Sequence, residues 1–242
     1  GAVDCGNSGT TARLLAGLLA GQGISAELHG DASLSARPME RVARPLRAMG
    51  AKVEARGEGG TLPLVVEPAP LHGAELHLEV ASAQLKTAVL LAGMGAAGTT
   101  TIFEPGRSRD HSERLLRLLG APLSFRPGFV RIEGPCPPLS PLSLRVPRDP
   151  SSAAFLAVLA SLRPGSELLL PGLLCNPTRT GFVAILRRMG ANLRWRAQRD
   201  EGAEPVADML VRSAPLRATD VEPDEVPTAL DELPVLAGAM AC

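Results

Sequence analysis

Three segments bring together residues that bind anions. Asn7-Ser8-Gly9-Thr10-Thr11-Ala12-Arg13 and Ser82-Ala83-Gln84-Leu85-Lys86-Thr87 each place small polar residues at the start of an apolar helical run. Ser151-Ser152-Ala153 does the same. A helix N-terminus exposes unpaired N–H groups and a partial positive charge, so small residues there let an anion reach the main chain. Arg13 adds a guanidinium one turn into the first run, and Gln84 and Lys86 add an amide and an ammonium to the second. Taken alone, each segment is also an ordinary helix cap. Arginines recur beside a second series of helix starts. Arg37 precedes Pro38-Met39-Glu40, Arg109 precedes Asp110-His111, and Arg179 precedes Thr180-Gly181. Guanidinium forks converging on one place would select a ligand with more than one anionic group, whereas the same arginines apart would be solvated surface.

The elements that must position these residues repeat. Arg44–Val53, Arg114–Leu123 and Ala184–Leu193 share one pattern, with glycines at 50, 120 and 190. Each reads as an amphipathic helix closed by a glycine in the left-handed conformation and followed by a short strand. A second series, at Asn7, Ser82, Ser151 and the region of Asp231, interleaves with the first, so each unit carries two helices. The strand-like runs are Leu62–Val66, Leu76–Val80, Thr99–Phe103 and Leu142–Val146. The fold class expected is α/β, a repeated unit of about 70 residues with a small sheet backed by two helices. The proline-dense stretch from Gly134 to Pro150 reads as an inter-lobe crossing or, alternatively, a surface loop. The expected lobes are 1–146 and 147–242.

Composition removes several classes. The 242 residues include 25 basic and 25 acidic side chains, with five Phe, one Trp and no Tyr, which leaves neither a basic platform nor stacking residues for nucleic acid. Gly, Pro and Arg interrupt every apolar run before it could span a membrane. His29, His72, His77 and His111 have no metal-ligand spacing and read as solvated or capping residues. Cys5, Cys136, Cys175 and Cys242 form no C-x-x-C pair; they read as small buried hydrophobes in a reducing compartment. No nucleotide loop or G-x-S-x-G elbow is present, and Gly57-Glu58-Gly59-Gly60 lacks dinucleotide spacing. Lysine chemistry would rest on Lys52 or Lys86. The chain opens at Gly1 and stops inside a helical pattern, which reads as a segment of a longer protein.

Six motifs together resemble the EPSP synthase family, the 3-phosphoshikimate 1-carboxyvinyltransferases, in order and spacing. They are Asp4–Arg13, Gly30–Met39, Ser82–Ala88, Ser108–Glu113, Asn176–Gly181 and Asp231–Pro234. The resemblance implies βαβαββ units in a two-lobed, enolpyruvyl transferase-like architecture, incomplete here, with the active site in the cleft and no cofactor or metal. It implies an intact cytoplasmic monomer whose partners are small molecules, phosphoenolpyruvate and shikimate-3-phosphate. By resemblance, Ser82, Ala83 and Gln84 cradle shikimate-3-phosphate with Arg109, and Gly9, Thr10, Arg37 and Gln84 lie on the phosphoenolpyruvate side. Asn7 and Arg13 belong to the same binding set, and Asp231 is the general base. The sister enzymes acting on UDP-N-acetylglucosamine usually carry a cysteine in the loop aligned near Gly30–Arg37, where this chain has none. A non-catalytic anion-binding remnant is the reading from another class. Two departures stand out: the family's terminal lysine- and arginine-bearing motifs lack counterparts, so the chain alone is expected to be inactive or nearly so, and Arg148 replaces a glycine, which puts the local turn in doubt. Gly9 leaves the donor phosphate pocket uncrowded, and resemblance to glyphosate-sensitive members of the family implies that the intact enzyme is glyphosate-sensitive.

Overall fold

The computed structural model describes residues 1–241. It divides into two compact units, Gly1–Arg107 with Leu115–Pro141, and Ser108–Arg114 with Leu142 onward. Cys242 lies outside the described residues, so its place as a buried hydrophobe has no structural counterpart here.

The first unit contains two successive βαβαββ repeats. The first runs β1 (Ala2–Asp4), α1 (Gly9–Gln22), β2 (Ala26–His29), the short α2 (Ala32–Ser35), α3 (Glu40–Ala48), β3 (Lys52–Gly57) and β4 (Thr61–Glu67). The second runs β5 (Glu75–His77), α4 (Ala83–Gly93), β6 (Gly98–Phe103), α5 (His111–Leu118), β7 (Leu123–Arg126) and β8 (Phe129–Gly134). The start of α5 belongs to the second unit by its contacts. The sheets have equivalent orders, β1-β2-β4-β3 and β5-β6-β8-β7. In each, the first pair is parallel and the other two are antiparallel. Alternation of buried and exposed residues along β8 and β4 puts one sheet face on a core that includes Leu28, Met39, Leu46, Leu64, Leu90, Ile102 and Ile132, all fully buried. Each such side chain contributes about 1.5–3 kcal/mol relative to exposure.

The second unit repeats the plan with α6 (Pro150–Leu162), β9 (Glu167–Leu174), α7 (Gly181–Arg188), β10 (Asn192–Glu201) and β11 (Glu204–Arg212), in the order β10-β11-β9. It continues through α8 (Val226–Ala229), a 3-10 turn over Leu230–Glu232 and α9 (Leu233–Met240). Its core is built on Phe182, Ile185, Leu186 and Met209. The run Leu142–Val146 does not form the expected strand. Prolines at 138, 141 and 147 remove ladder donors around it, Val146 is 78% exposed, and the first strand shrinks to a single parallel bridge between Arg148 and Leu173. That bridge also answers the question raised by Arg148. Its N–H donates to Gly172 O and its own carbonyl accepts from Leu174 N–H, both at 2.9 Å, in extended backbone. Among the described residues Ala197 is the non-glycine residue with positive φ, so Arg148 fits without a left-handed turn.

The 70-residue repeat has a shared physical cause. Gly50, Gly120 and Gly190 have φ of 93°, 89° and 103°. In each case the glycine N–H donates three residues back, to Arg47, Arg117 or Arg187, and the following N–H donates five back, to Leu46, Leu116 or Leu186. This doubly bonded end closes α3, α5 and α7 and turns the chain into the next strand. The other helix series starts on side-chain caps. Ser8 accepts from Thr11 N–H, Ser82 from Leu85 N–H, and Asp149 from Ser151 and Ser152 N–H. Helices α1 and α4 pack so closely that a Cβ on Gly17 would lie 2.0 Å from Ala88 O. Gly17→Ala in the complete gene product is therefore expected to destabilise by about 1–3 kcal/mol. Gly238→Ala in the 242-residue chain itself, at an exposed position of α9 with open space around it among the described residues, is expected to be neutral or stabilising by up to about 1 kcal/mol. Urea unfolding of the two variants measures both.

Candidate active site

In the first unit, the residues singled out from the sequence near Gly9 come together. Gly6, at φ 53°, turns the chain out of β1, with its N–H on Asp4 Oδ1, and Ser8 caps α1. Asn7 lies in that turn and is held on both sides. Its Nδ2 donates to Asp31 Oδ2 at 2.6 Å, and its Oδ1 accepts from Arg37 Nη2 at 3.1 Å. Asp31 is fixed in turn as the cap of α2, accepting from Leu34 N–H at 2.8 Å. Arg37 is thereby directed over the start of α1. Arg13, one turn along α1, donates from Nη1 to Gln84 Oε1, and Gln84 Nε2 donates to Thr10 Oγ1, both at 2.8 Å. Gln84 is the second residue of α4, so one amide ties the starts of two long helices together. A Cβ on the buried Gly9 would lie 2.8 Å from Arg13 Nη1 and 3.2 Å from Arg37 Nη1. Two guanidinium groups thus converge on a backbone with no side chain to screen it.

The electrostatics of this group are unbalanced. Among the described residues no carboxylate lies within 4.0 Å of the guanidinium of Arg13 or Arg37; their side-chain partners are Gln84, Asn7 and Ser33. Burial, then the charges of Arg37 and Arg41, lower the Arg13 pKa below the ordinary guanidinium value. Such a cluster, at the positive ends of α1 and α4, lowers its energy by taking up an anion.

Ser82 and Ala83 stand at the same end of α4. The Ser82 hydroxyl accepts the capping bond from Leu85 N–H at 3.4 Å, and its N–H donates to Glu104 Oε1 at 3.2 Å. Lys86 departs from its reading as an added ammonium at the helix start. It is 3% exposed, with Nζ 2.8 Å from Glu104 Oε2, so its charge is compensated inside the fold. Lys52 lies exposed on β3.

Arg109 and Asp231 belong to the second unit, apart from this group in the chain's division. Arg109 Nη2 is 2.5 Å from Asp231 Oδ2, with both side chains partly exposed. Asp231 stands in the 3-10 turn before α9, and its neighbour Glu232 is buried at 2% exposure. Burial pushes the Glu232 pKa up, against a hydrogen bond from Ser151 and the Arg179 charge that favour the anion. Arg179 Nη2 donates to Ser151 Oγ at 2.7 Å and lies 3.0 Å from Asp149 Oδ1.

The family model of EPSP synthase (3-phosphoshikimate 1-carboxyvinyltransferase) matches residues 1–242. The chain belongs to the EPSP synthase family. It is 51% identical over 243 residues to the 3-phosphoshikimate 1-carboxyvinyltransferase of Roseiflexus castenholzii, and 48% identical over 242 residues to that of Chloroflexus aggregans. Each match takes in 99% of this chain and 56% of the relative. The solved EPSP synthase of Acinetobacter baumannii superimposes with a TM-score of 0.91 at 43% identity, over 100% of this chain and 54% of that one. The chain spans about half the length of the curated relatives it matches.

Other sequence readings resolve more simply. His111 is partly exposed and has a carboxylate neighbour: its Nδ1 lies 2.6 Å from Glu204 Oε1. Cys5 is buried, whereas Cys136 and Cys175 are only half-buried, and burial pushes all three thiols up in pKa. Among the described residues no cluster of three metal-ligating side chains occurs, and no helix is long and apolar enough to cross a membrane. Sequence reasoning assigned no role to Asp149, Asn176, Glu204 or Glu232. A signal existed for Asp149, because Asp followed by Pro at the first helical position is a helix-start signature.

Asp149 gives a pH prediction. Burial alone would raise its pKa, but the hydrogen bonds from Ser152 and Ser151 and the Arg179 charge outweigh burial and hold it below the ordinary aspartate value. A carboxyl whose pKa is lowered by folding adds stability above its unfolded pKa, and loses it as pH falls through the folded one. Asp149→Asn should therefore cost about 0.5–1 kcal/mol at pH 7, given the partial exposure of the pair, and progressively less as pH drops below the ordinary aspartate value. Denaturant unfolding of variant and parent between pH 7 and pH 3 checks the convergence.

Proposed function

We propose that the chain is the greater part of an enzyme that transfers the enolpyruvyl group of phosphoenolpyruvate to the 5-hydroxyl of shikimate-3-phosphate, in the shikimate pathway to chorismate and the aromatic amino acids. One observation carries the reading: Arg13 and Arg37 converge on bare Gly9 at a helix N-terminus with neutral amides as partners. Every relative named above bears the name of that activity, which supports shikimate-3-phosphate over a UDP-sugar as acceptor.

In this reading Gly9, Thr10, Arg37 and Gln84 hold the phosphate and carboxylate of phosphoenolpyruvate, with Asn7 and Arg13 in the same binding set, Asn7 orienting Arg37 and Arg13 orienting Gln84. Ser82, Ala83 and Gln84 cradle the acceptor phosphate, and Arg109 is its further partner. Asp231 accepts the proton of the attacking hydroxyl. That oxygen bonds to the central carbon of phosphoenolpyruvate while the methylene carbon gains a proton. Loss of a proton from the same carbon then re-forms the double bond as phosphate departs. The arginines neutralise the repulsion of two phosphorylated anions, and the charge that moves to the leaving phosphate. No redox step or cofactor enters this balance. The lobes are proposed as 1–146 and 147–242, in a cytoplasmic monomer when intact.

The test is a coupled phosphate-release assay on the complete gene product with both substrates. Arg37→Ala removes charge-assisted hydrogen bonds worth about 1.5–3 kcal/mol, so the KM for phosphoenolpyruvate should rise about 10- to 100-fold. Asp231→Ala should instead lower kcat about 10²- to 10⁴-fold with a smaller change in KM. Equal, minor effects on both parameters would remove the assignment, and calorimetric preference for UDP-N-acetylglucosamine would remove the acceptor. Glyphosate should inhibit the same assay; a curve flat to millimolar inhibitor argues against the open pocket at Gly9.

A further inference from the structure

Asn176 is fully buried, and its side chain meets every one of its hydrogen-bonding capacities. Nδ2 donates to Asp110 Oδ1 at 2.7 Å and to Glu204 Oε2 at 2.9 Å. Oδ1 accepts from the N–H of Thr178 at 2.9 Å and from its hydroxyl at 2.8 Å. Its backbone carbonyl accepts from Arg179 N–H at 2.9 Å and from the Thr180 hydroxyl at 3.2 Å. The two carboxylates it bridges have further basic neighbours. Arg114 Nε lies 3.0 Å from Asp110 and 3.9 Å from Glu204, and His111 Nδ1 lies 2.6 Å from Glu204. Arg114 thus supplies positive charge beside both carboxylates, His111 lies beside Glu204, and the amide adds direction. Only a side chain with two N–H donors on one nitrogen and an acceptor beside it completes this arrangement; an aspartate would set a third carboxyl against two.

The elements pinned by Asn176 are those that carry two arginines toward one turn. Asp110 immediately follows Arg109, whose guanidinium pairs with Asp231. Arg179, three residues after Asn176, reaches Ser151 and Asp149 at the start of α6, and α6 packs against the 3-10 turn that carries Asp231. We infer that Asn176 is a positioning residue: by bridging Asp110 and Glu204 it sets Arg109 against Asp231 and Arg179 against Ser151, and so orients the turn that carries Asp231 from both sides. The catalytic consequence rests on the reading of Asp231 as the base; the geometric claim does not.

The experiment uses the complete gene product and the variants Asn176→Ala, Arg109→Ala and their double. Loss of a hydrogen bond to a charged group of this kind corresponds to about a 10- to 100-fold change. Asn176→Ala should therefore lower kcat by that amount, with the phosphoenolpyruvate KM within about twofold of the parent. The double variant should lose less than the product of the two single losses, since Asn176 and Arg109 share the contact with Asp231. Glu204→Gln, which keeps the shape but weakens the anchor, should lower kcat less and in the same parameter; it serves if Asn176→Ala does not fold. Losses that multiply in the double variant, or a lowered unfolding midpoint with unchanged kcat, overturn the inference in favour of a purely structural asparagine. A second readout needs no turnover. In ¹⁵N-arginine spectra, the slowly exchanging side-chain signal of Arg109, assigned by its absence in Arg109→Lys, should vanish in Asn176→Ala. Its persistence overturns the inference, whereas absent turnover in the parent protein with this signal intact would overturn only the proposed function.

Discussion

Everything in the first unit that bears on chemistry depends on uncompensated positive charge held in place by neutral partners. A guanidinium is easily satisfied by a carboxylate, as Arg47 is by Glu40 and Arg188 by Glu225. Around Gly9 the partners are amides instead. An amide oxygen fixes the direction of a guanidinium without cancelling its charge, so Arg13 and Arg37 stay ordered and electrostatically available. The absence of a side chain at Gly9 then leaves their Nη atoms within van der Waals reach of the backbone. Order without neutralisation is the condition for strong, oriented binding of an anion.

The second unit uses the opposite device. Its groups are paired, Arg109 with Asp231 and Arg179 with Asp149, and the pairs are tied back to a buried amide. Pairing fixes the direction of a carboxylate while leaving it half exposed, as Asp231 is. Glu232, next along the chain, is driven inward to 2% exposure, where burial raises its pKa. One turn therefore presents one acid and buries the other, which sequence proximity alone does not distinguish.

Much of the fold was legible because its causes are local. A glycine that must take positive φ recurs every 70 residues, and the hydrogen bonds that close α3, α5 and α7 repeat around it. Ser8 and Ser82 cap helices because a hydroxyl near free N–H groups does so in any context. The strand expected at Leu142–Val146 failed for a reason that is not local. Its apolar composition suits a strand, but surrounding prolines deprive it of donors and leave one residue, Arg148, to pair with β9. The doubt over Arg148 itself came from treating the position as a turn, when the partner β9 makes it extended.

The sequence by itself determined the repeat, the helix starts and the identity of the basic residues, because capping and chain reversal need only neighbours within a few positions. Tertiary structure alone decided which charges remain uncancelled. Lys86 and Arg13 look alike in sequence, each one turn or less inside a helix that opens with small polar residues. Only packing brings Glu104 to the lysine and Gln84 to the arginine. Coulombic compensation depends on distance in space, and residues 18 and 71 positions apart are brought within 2.8 Å by the fold and by nothing in the local chain.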